Sequence, residues 1–438
     1  ICHFVCSIAC NKFTQSLLKS RCFGLRHITQ RKRVEFRARF WCAVVLFGIL
    51  PCLISGIAAG QLPLNAPYTT IDDTLVSVRL TASERQLRVA APPAARALSI
   101  RDASGGSSTT DGQRMIAVSV EPTGSSLVIN GAVLHPGPIA IESPDGLILV
   151  NGRRYRGRIE VKTVGGALQT ANVLPLRSYL ASVVGAEMPS DAPFQALEAQ
   201  SVVSRSYILH RMVGVNGSDP CISDSVLSQV YRGVSTESAA TIKAVRETAG
   251  LVLTFNHEPI DACFSASSGG WTASARDVWN DFVPYLIGKK DQFSESGEYG
   301  NWQLTITPAE CERILLGAGW DVGRPEQILV IREDTSGRAS RVAILGSGGD
   351  ALFRGTDFRL LVGAARLRST MFDVERTASS FTFHGKGFGH GVGLSQQGAC
   401  NMARQNYSFE QILAFYYTGV KLERYPPDWL HSQSTLGD

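Results

Sequence analysis

The sequence predicts an α+β protein: a β-rich N-terminal part, then a mixed helix/strand domain, behind an N-terminal membrane or signal helix. Three observations predict this. An uncharged apolar run, Phe40–Ala59, follows a basic stretch. Between residues 75 and 163 short apolar-alternating runs are separated by Gly, Asp, Ser and Pro clusters, the pattern of antiparallel strands and hairpins. From about Asn172 onward the apolar residues recur at helical spacing.

Residues 1–39 are a basic leader. The first 40 residues hold nine Lys/Arg against Glu35 alone. The chain begins at Ile1, and residues 1–33 have no clear apolar period; they are expected to lie upstream of the natural start. Residues 40–60 read as a signal or anchor helix, since about 20 apolar residues span a bilayer and the basic flank orients such a run toward the cytoplasm. Small residues Gly56, Ala58, Ala59 and Gly60 suit cleavage, so anchoring and secretion are both open. Cys52 after Leu50-Pro51 is a poor lipid-attachment site. The expected location is the extracytoplasmic face of the membrane or the cell envelope.

The formal charge of +5 belongs to the leader, because residues 61–438 carry a net −3. That excludes a globally basic nucleic-acid-binding domain. Six of the ten cysteines lie in residues 1–52, and Cys221, Cys263, Cys311 and Cys400 form no CxxC. A metal knuckle is not indicated, and one or two disulfides are compatible with export.

Residues 61–150 read as a linker followed by the β-rich region, with strands at 75–80, 86–91, 115–120, 126–134 and 147–163 and a loop at 102–113. Residues 151–425 read as the functional domain and 426–438 as a tail. In 176–188 Leu176, Tyr179, Leu180, Val183 and Val184 fall on one helical stripe. A second helix, 194–212, is expected to start at a Ser190 or Asp191 cap with Pro193 in its first turn. A third covers 236–249. LVLTF (251–255) and IDACFSA (260–266) read as a hairpin through Asn256–Pro259. Strands ILVIRE and RVAIL follow, then a glycine-rich turn and a helix from Leu394.

Three clusters carry candidate chemistry. Glu187 sits at a helix end beside Val183, Val184 and Met188. Apolar surroundings raise a carboxyl pKa, which lets it hold a proton near neutrality as a general acid. Taken alone, a helix-end glutamate is more often simply solvated. Arg205, on the next helix, could orient a carboxylate or bind an anionic sugar; the alternative is a structural ion pair. FHGKGFGHGVGLSQQGA (383–399) packs five glycines into nine residues around His384, Lys386 and His390, with Ser395 and Gln396 following. No GxxxxGK[ST] is present, and two histidines six apart are weak zinc evidence. FSASSGGWTASARDVWN (264–280) offers Ser267 and Ser268 in a turn near Trp271 and Trp279. It contains no GxSxG elbow.

These clusters together resemble the stage II sporulation protein D, or amidase-enhancer, family. The resemblance is carried by NVLPLRSYLASVVGAEMPSDAPFQALEAQSVVSRSYIL (172–209), SQVYRG (228–233), ACFSASSGGWTASARDVW (262–279), PYL (284–286) and GKGFGHGVGLSQQGACNMARQNYSFEQILAFYYTGVKL (385–422). It spans about 150–422. It implies a domain acting on peptidoglycan: a lytic transglycosylase of glycan strands stripped of stem peptides, or else a non-catalytic protein that grips glycan and enhances an N-acetylmuramoyl-L-alanine amidase. Glu187 matches the family's catalytic glutamate, and Arg205 and His390 map onto its helix and glycine-rich blocks. Substrate-binding roles are expected for Arg205, Ser267, Ser268, His390, Ser395 and Gln396. For Arg205 the resemblance leaves two roles, binding the muramic carboxylate or holding Glu187. One acid suffices if the sugar's own 6-hydroxyl attacks, whereas ordinary glycosidases need two carboxylates. Implied partners are glycan strands, an amidase and the membrane, with no nucleic acid, metal or cofactor. The chain departs from the family at Arg177-Ser178, where an acid is usual, and at Gln397, where an aromatic is common. Ser228 directly precedes Gln229 and no His falls between residues 211 and 256, which argues against the zinc cluster of some members.

Overall fold

The structure, a computed structural model, describes residues 70–430 apart from 81–84, 94, 96, 103–104, 111–113, 122–123, 125, 134–136, 214–221 and 225–228. The leader, the signal or anchor helix, Cys221 and most of the tail lie outside the described residues. Among the described residues no helix is long and apolar enough to cross a membrane. They form the expected α+β arrangement, with several sheets and eight α-helices.

Two sheets build the β-rich part. The first orders Ile222–Ser223, Leu75–Leu80, Ala167–Pro175, Arg158–Val164, Ile139–Glu142, Ser99–Asp102 and Ser107–Thr109. Only Ile222–Ser223 runs parallel to its neighbour. The second orders Arg153–Arg156, Leu147–Val150, Gln86–Ala90, Met115–Val120, Leu127–Ile129 and Ala132–Val133. Strand alternation sends Val76, Val78, Ile159 and Val161 from one sheet and Leu87, Val89, Ile116 and Val118 from the other into one core. Asn130-Gly131 and Asn151-Gly152 turn their hairpins with positive φ at both residues, the geometry that matches strand twist.

The boundary read at residue 150 falls inside both sheets. Leu75–Leu80 pairs along its whole length with Ala167–Pro175, and Arg153–Arg156 pairs back on Leu147–Val150. Backbone hydrogen bonding across the boundary makes the two stretches one structural layer.

Helix α1 (Leu176–Glu187) leaves the strand Ala167–Pro175 directly and buries the predicted stripe. It stops at Met188, whose backbone is extended, before Pro189, which cannot continue a helix. Helix α2 (Phe194–Met212) is buried from Ala196 to Leu209. With no solvent face, it needs no amphipathic stripe. Its buried hydroxyls bond back along the helix, Ser201 to the Leu197 carbonyl and Ser206 to the Val202 carbonyl, both at 2.7 Å. The cap expected from Ser190 or Asp191 is not used. Pro193 itself is the N-cap, and its carbonyl accepts from the N–H groups of Ala196 and Leu197. Helix α3 (Ala239–Glu247) starts on a Ser238/Thr241 capping box, and α4 covers Ala275–Trp279.

The expected 251–266 hairpin is shorter than read. Leu251–Phe255 pairs with Glu258–Pro259 through Asn256-His257, and on its other edge with Lys421–Arg424. Phe264–Ser265 turns away and pairs in parallel with Leu394–Ser395. That crossover joins the two candidate clusters 264–280 and 383–399.

Residues 302–385 form a lobe with a second core, built from Trp302, Ile306, Leu315, Val342, Ile344, Phe358, Phe381 and Phe383 among others. It has two three-stranded sheets. One orders Trp302–Ile306, Phe381–Gly385 and Phe372–Arg376; the other orders Pro325–Glu333, Ala339–Gly346 and Gly349–Arg354. Helices α5 (Pro308–Gly317) and α6 (Gly355–Val362) belong to it. The chain then returns to the main core through the glycine-rich segment and α7 (Gln396–Arg404) and α8 (Phe409–Tyr416).

Candidate active site

Glu187 is the last residue of α1 and is 4% exposed. The Val230 N–H donates to its Oε1 at 2.7 Å, and the Gln396 side chain hydrogen-bonds the same carboxylate. Burial pushes its pKa up to about 7; the Val230 and Gln396 hydrogen bonds and the charge of Arg232 counter only part of that rise. No second carboxylate is among the groups that set it. Such a carboxyl holds its proton at neutral pH and can release it, the requirement for one group acting first as acid and then as base.

The surroundings are polar and ordered. Gln229, next to Val230, accepts from the Tyr179 hydroxyl at 3.0 Å and donates to the Ser204 carbonyl at 3.4 Å. Gln200, on α2, donates to the Ser204 hydroxyl at 3.1 Å. Gln396 reaches Gln200 at 3.5 Å. Helices α1, α2 and α7 and the segment 229–232 therefore meet around one proton-carrying group.

Of the seven residues picked out in the sequence, Glu187 and Gln396 come together here. Arg205 does not join them. It is completely buried, and its guanidinium forks onto Asp72 at 2.6 and 2.9 Å while donating to the Val245 and Leu251 carbonyls. Its donors are committed inside the protein, so the structural ion pair replaces the expected sugar-binding role.

Ser267, Ser268 and Ser395 are also buried and serve the protein's own backbone. Ser267 pairs with Phe388 through both backbone groups. The Ser268 hydroxyl donates to Asp291 at 2.7 Å, and Tyr416 donates to the same oxygen at 3.2 Å. Ser395 caps α7, accepting from the Gly398 N–H at 3.1 Å, and lies 2.6 Å from the Ser294 hydroxyl. By fixing the start of α7, Ser395 places Gln396 against Glu187. These three hydroxyls are committed to partners within the protein.

His390 is buried against Trp279 at 5.1 Å, and its Nδ1 accepts from the Val392 N–H at 2.9 Å. Burial, then the positive charges of Arg359 and Arg338, push its pKa down to about 3. It is neutral throughout the physiological range. The cavity beside it is about 20 Å³, hardly more than one water needs. The expected substrate role is not available to it. The glycines around it press on the protein itself. Gly393, at φ +72°, would drive a Cβ to 2.0 Å from the Cys263 carbonyl oxygen, and Gly391 would meet the Arg338 guanidinium. A wider cavity of about 580 Å³ lies in the lobe, lined by Trp302, Glu333, Asp373, His384 and Lys386 among others, and contains none of the seven.

Cys311 and Cys400 are buried free thiols, both pushed up to about 11 by burial. Among the described residues no group of three or more His, Cys, Asp and Glu could hold a metal ion. The sequence had left Val230, Gln200 and Asp291 without a role. The signals were that Val230 lies in the block SQVYRG and Gln200 in the block 172–209, both of which carry the family resemblance; Asp291 lies in neither.

Fold and site together define an α+β protein with a buried, proton-holding glutamate, Glu187, where α1, α2 and α7 meet. The family model described as stage II sporulation protein matches residues 164–255, the stretch that holds both Glu187 and Arg205. A second, Domain of unknown function (DUF8618), matches 273–393 and covers the lobe. The chain is 31% identical over 271 residues to stage II sporulation protein D of Bacillus subtilis (strain 168), covering 58% of this chain and 76% of that protein. It is 32% identical over 264 residues to the Bacillus amyloliquefaciens protein of the same name, covering 57% and 74%. The amidase enhancer of Bacillus subtilis (strain 168) is 30% identical over 297 residues, 56% of this chain and 40% of that protein. The chain belongs to the stage II sporulation protein D family.

Proposed function

We propose that this protein is a peptidoglycan lytic transglycosylase acting on glycan strands stripped of their stem peptides. The observation that carries the reading is the buried Glu187 carboxyl, held by the Val230 N–H and Gln396, with a pKa near 7. Hydrolysis by ordinary glycosidases needs a second carboxylate roughly 5–9.5 Å from the acid. An internal nucleophile, the sugar's own 6-hydroxyl, removes that need. Glu187 protonates the glycosidic oxygen between N-acetylmuramic acid and N-acetylglucosamine. As a carboxylate it then takes the proton of the muramic 6-hydroxyl as that oxygen closes on C1, leaving a 1,6-anhydro end. The Val230 N–H and Gln396 stabilise the transient carboxylate. The setting is wall remodelling at the septum or in a sporulation-like process, on the outer side of the membrane to which residues 40–60 lead.

The test is to incubate the protein with amidase-treated sacculi and look for anhydro-muropeptides by mass spectrometry. Wild type should release them and Glu187→Gln should not. The 30% identity to an amidase enhancer favours a second reading, in which the protein grips glycan and stimulates an amidase without cleaving. That reading wins if wild type binds the sacculi, speeds an added amidase and yields no anhydro ends.

A further inference from the structure

The outward face of the lobe sheet Pro325–Glu333/Ala339–Gly346/Gly349–Arg354 is organised in rows. Its inward residues, Ile328, Val342, Ile344, Ala351 and Phe353, are in the lobe core. Strand alternation therefore turns the intervening residues outward. Register puts Leu329, Ala343 and Leu352 side by side in one row. Leu329 is 41% and Leu352 56% exposed, and Ile331, beside a register shift, is 53% exposed. The next row is Arg332, Arg341 and Arg354.

Two features of this face go against the protein's own stability. Exposed leucines in a row leave apolar area in water. Three arginines on neighbouring strands about 4.8 Å apart repel one another. Among the described residues none of the three is in an ion pair; Arg354 donates to the Val278 carbonyl instead.

We propose that this face docks a segment of a partner protein that carries acidic side chains beside apolar ones. Carboxylates would relieve the arginine row and apolar side chains would dry the leucine row. A phosphate-bearing polymer or a sugar chain could answer only the first. A second copy of this face could cover the leucine row but answers the arginine row poorly. Turned head to tail, it sets three arginines against a row of Gln327, Leu345 and Asp350, with one carboxylate among them. The proposal is independent of the catalytic reading, since the lobe face includes none of the residues around Glu187.

The experiment places a photo-crosslinking amino acid at position 352 of the full chain, expressed in its own cells, and identifies the joined peptide by mass spectrometry. A protein segment bearing Asp or Glu next to apolar residues is expected. Its yield should fall at least about 10-fold with Arg341→Glu and roughly 3-fold with Arg341→Gln. Both variants should melt at the same temperature as wild type or slightly higher, because each weakens like-charge repulsion across the sheet. The proposal is overturned by adducts only to a second copy, only to wall polymer or to nothing. It is also overturned by a partner segment without acids, or by yields indifferent to both substitutions.

Discussion

Two buried glutamates on successive helices separate what a raised pKa means from what it is used for. Glu187 ends α1, and Glu198 lies in the first turns of α2, 5% exposed. Both are pushed up to about 7, with burial the leading cause. The next contributions differ. For Glu187 they are a backbone N–H, an amide and a cation, all favouring the carboxylate. For Glu198 they are repulsion from Glu247 and Glu410, with Lys243 opposing, and the Gln195 side chain donates to it at 2.6 Å. One region is equipped to receive the charge that forms when the proton leaves; the other resists it. A perturbed acid marks a catalytic candidate only when its neighbours stabilise both of its states.

The largest effect should separate the two sites by activity. Glu187→Gln should lower release of anhydro-muropeptides at least about 10³-fold, the scale expected for losing the acid, while Glu198→Gln should stay within about 3-fold. Equal losses at both positions would break the comparison.

Arg205 gives the next largest effect, on stability alone. Arg205→Met strands Asp72, buried and unpaired, and should cost about 3–5 kcal/mol in urea unfolding. A variant that folds normally but binds glycan poorly would contradict the structural role.

The pH dependence of stability follows from the raised values. Each carboxyl holds its proton more tightly folded than unfolded, so unfolding releases protons between about pH 4.5 and 7. Stability therefore falls as pH rises through that window and levels off above it. For Glu187 the full effect is about 3 kcal/mol. Glu187→Gln should remove its share of the slope of urea midpoints between pH 4.5 and 8, leaving that of Glu198, and a Glu187→Gln protein with the wild-type slope would show that its carboxyl is not perturbed.

The smallest effect uses salt. Part of the Glu198 shift comes from other charges, so 0.5 M NaCl should lower its pKa by a few tenths, whereas Glu187, governed by burial, should hold. Carboxyl carbon NMR titration of the two residues reads both directly.

Much of the frame was legible along the chain. The α1 stripe, α2, the strand Leu251–Phe255 and the hairpin strands of the β-rich part are local patterns, set by period and turn chemistry within about 20 residues. Glu187 was a candidate beside Val183, Val184 and Met188, but it was the resemblance of its block to a known family that set it above an ordinary helix-end glutamate. The errors share a physical origin. The residue 150 boundary ignored ladders that join Leu75–Leu80 to Ala167–Pro175. The 251–266 hairpin missed the parallel pairing of Phe264–Ser265 with Leu394–Ser395.

By itself the sequence determined the class of fold and the main helices, because each depends on neighbours close in the chain, and it singled out Glu187 only through the resemblance of its block to a known family. Tertiary structure alone decided which polar residues serve that glutamate. Arg205 found Asp72, 133 positions away, and its charge was neutralised inside the core. The serines and His390 found backbone groups and were buried with them. Gln396, 209 positions from Glu187 in a helix that Ser395 caps, was brought to it instead. A buried polar group must take whichever partner packing delivers, and that partner is set by long-range contacts that no local pattern records.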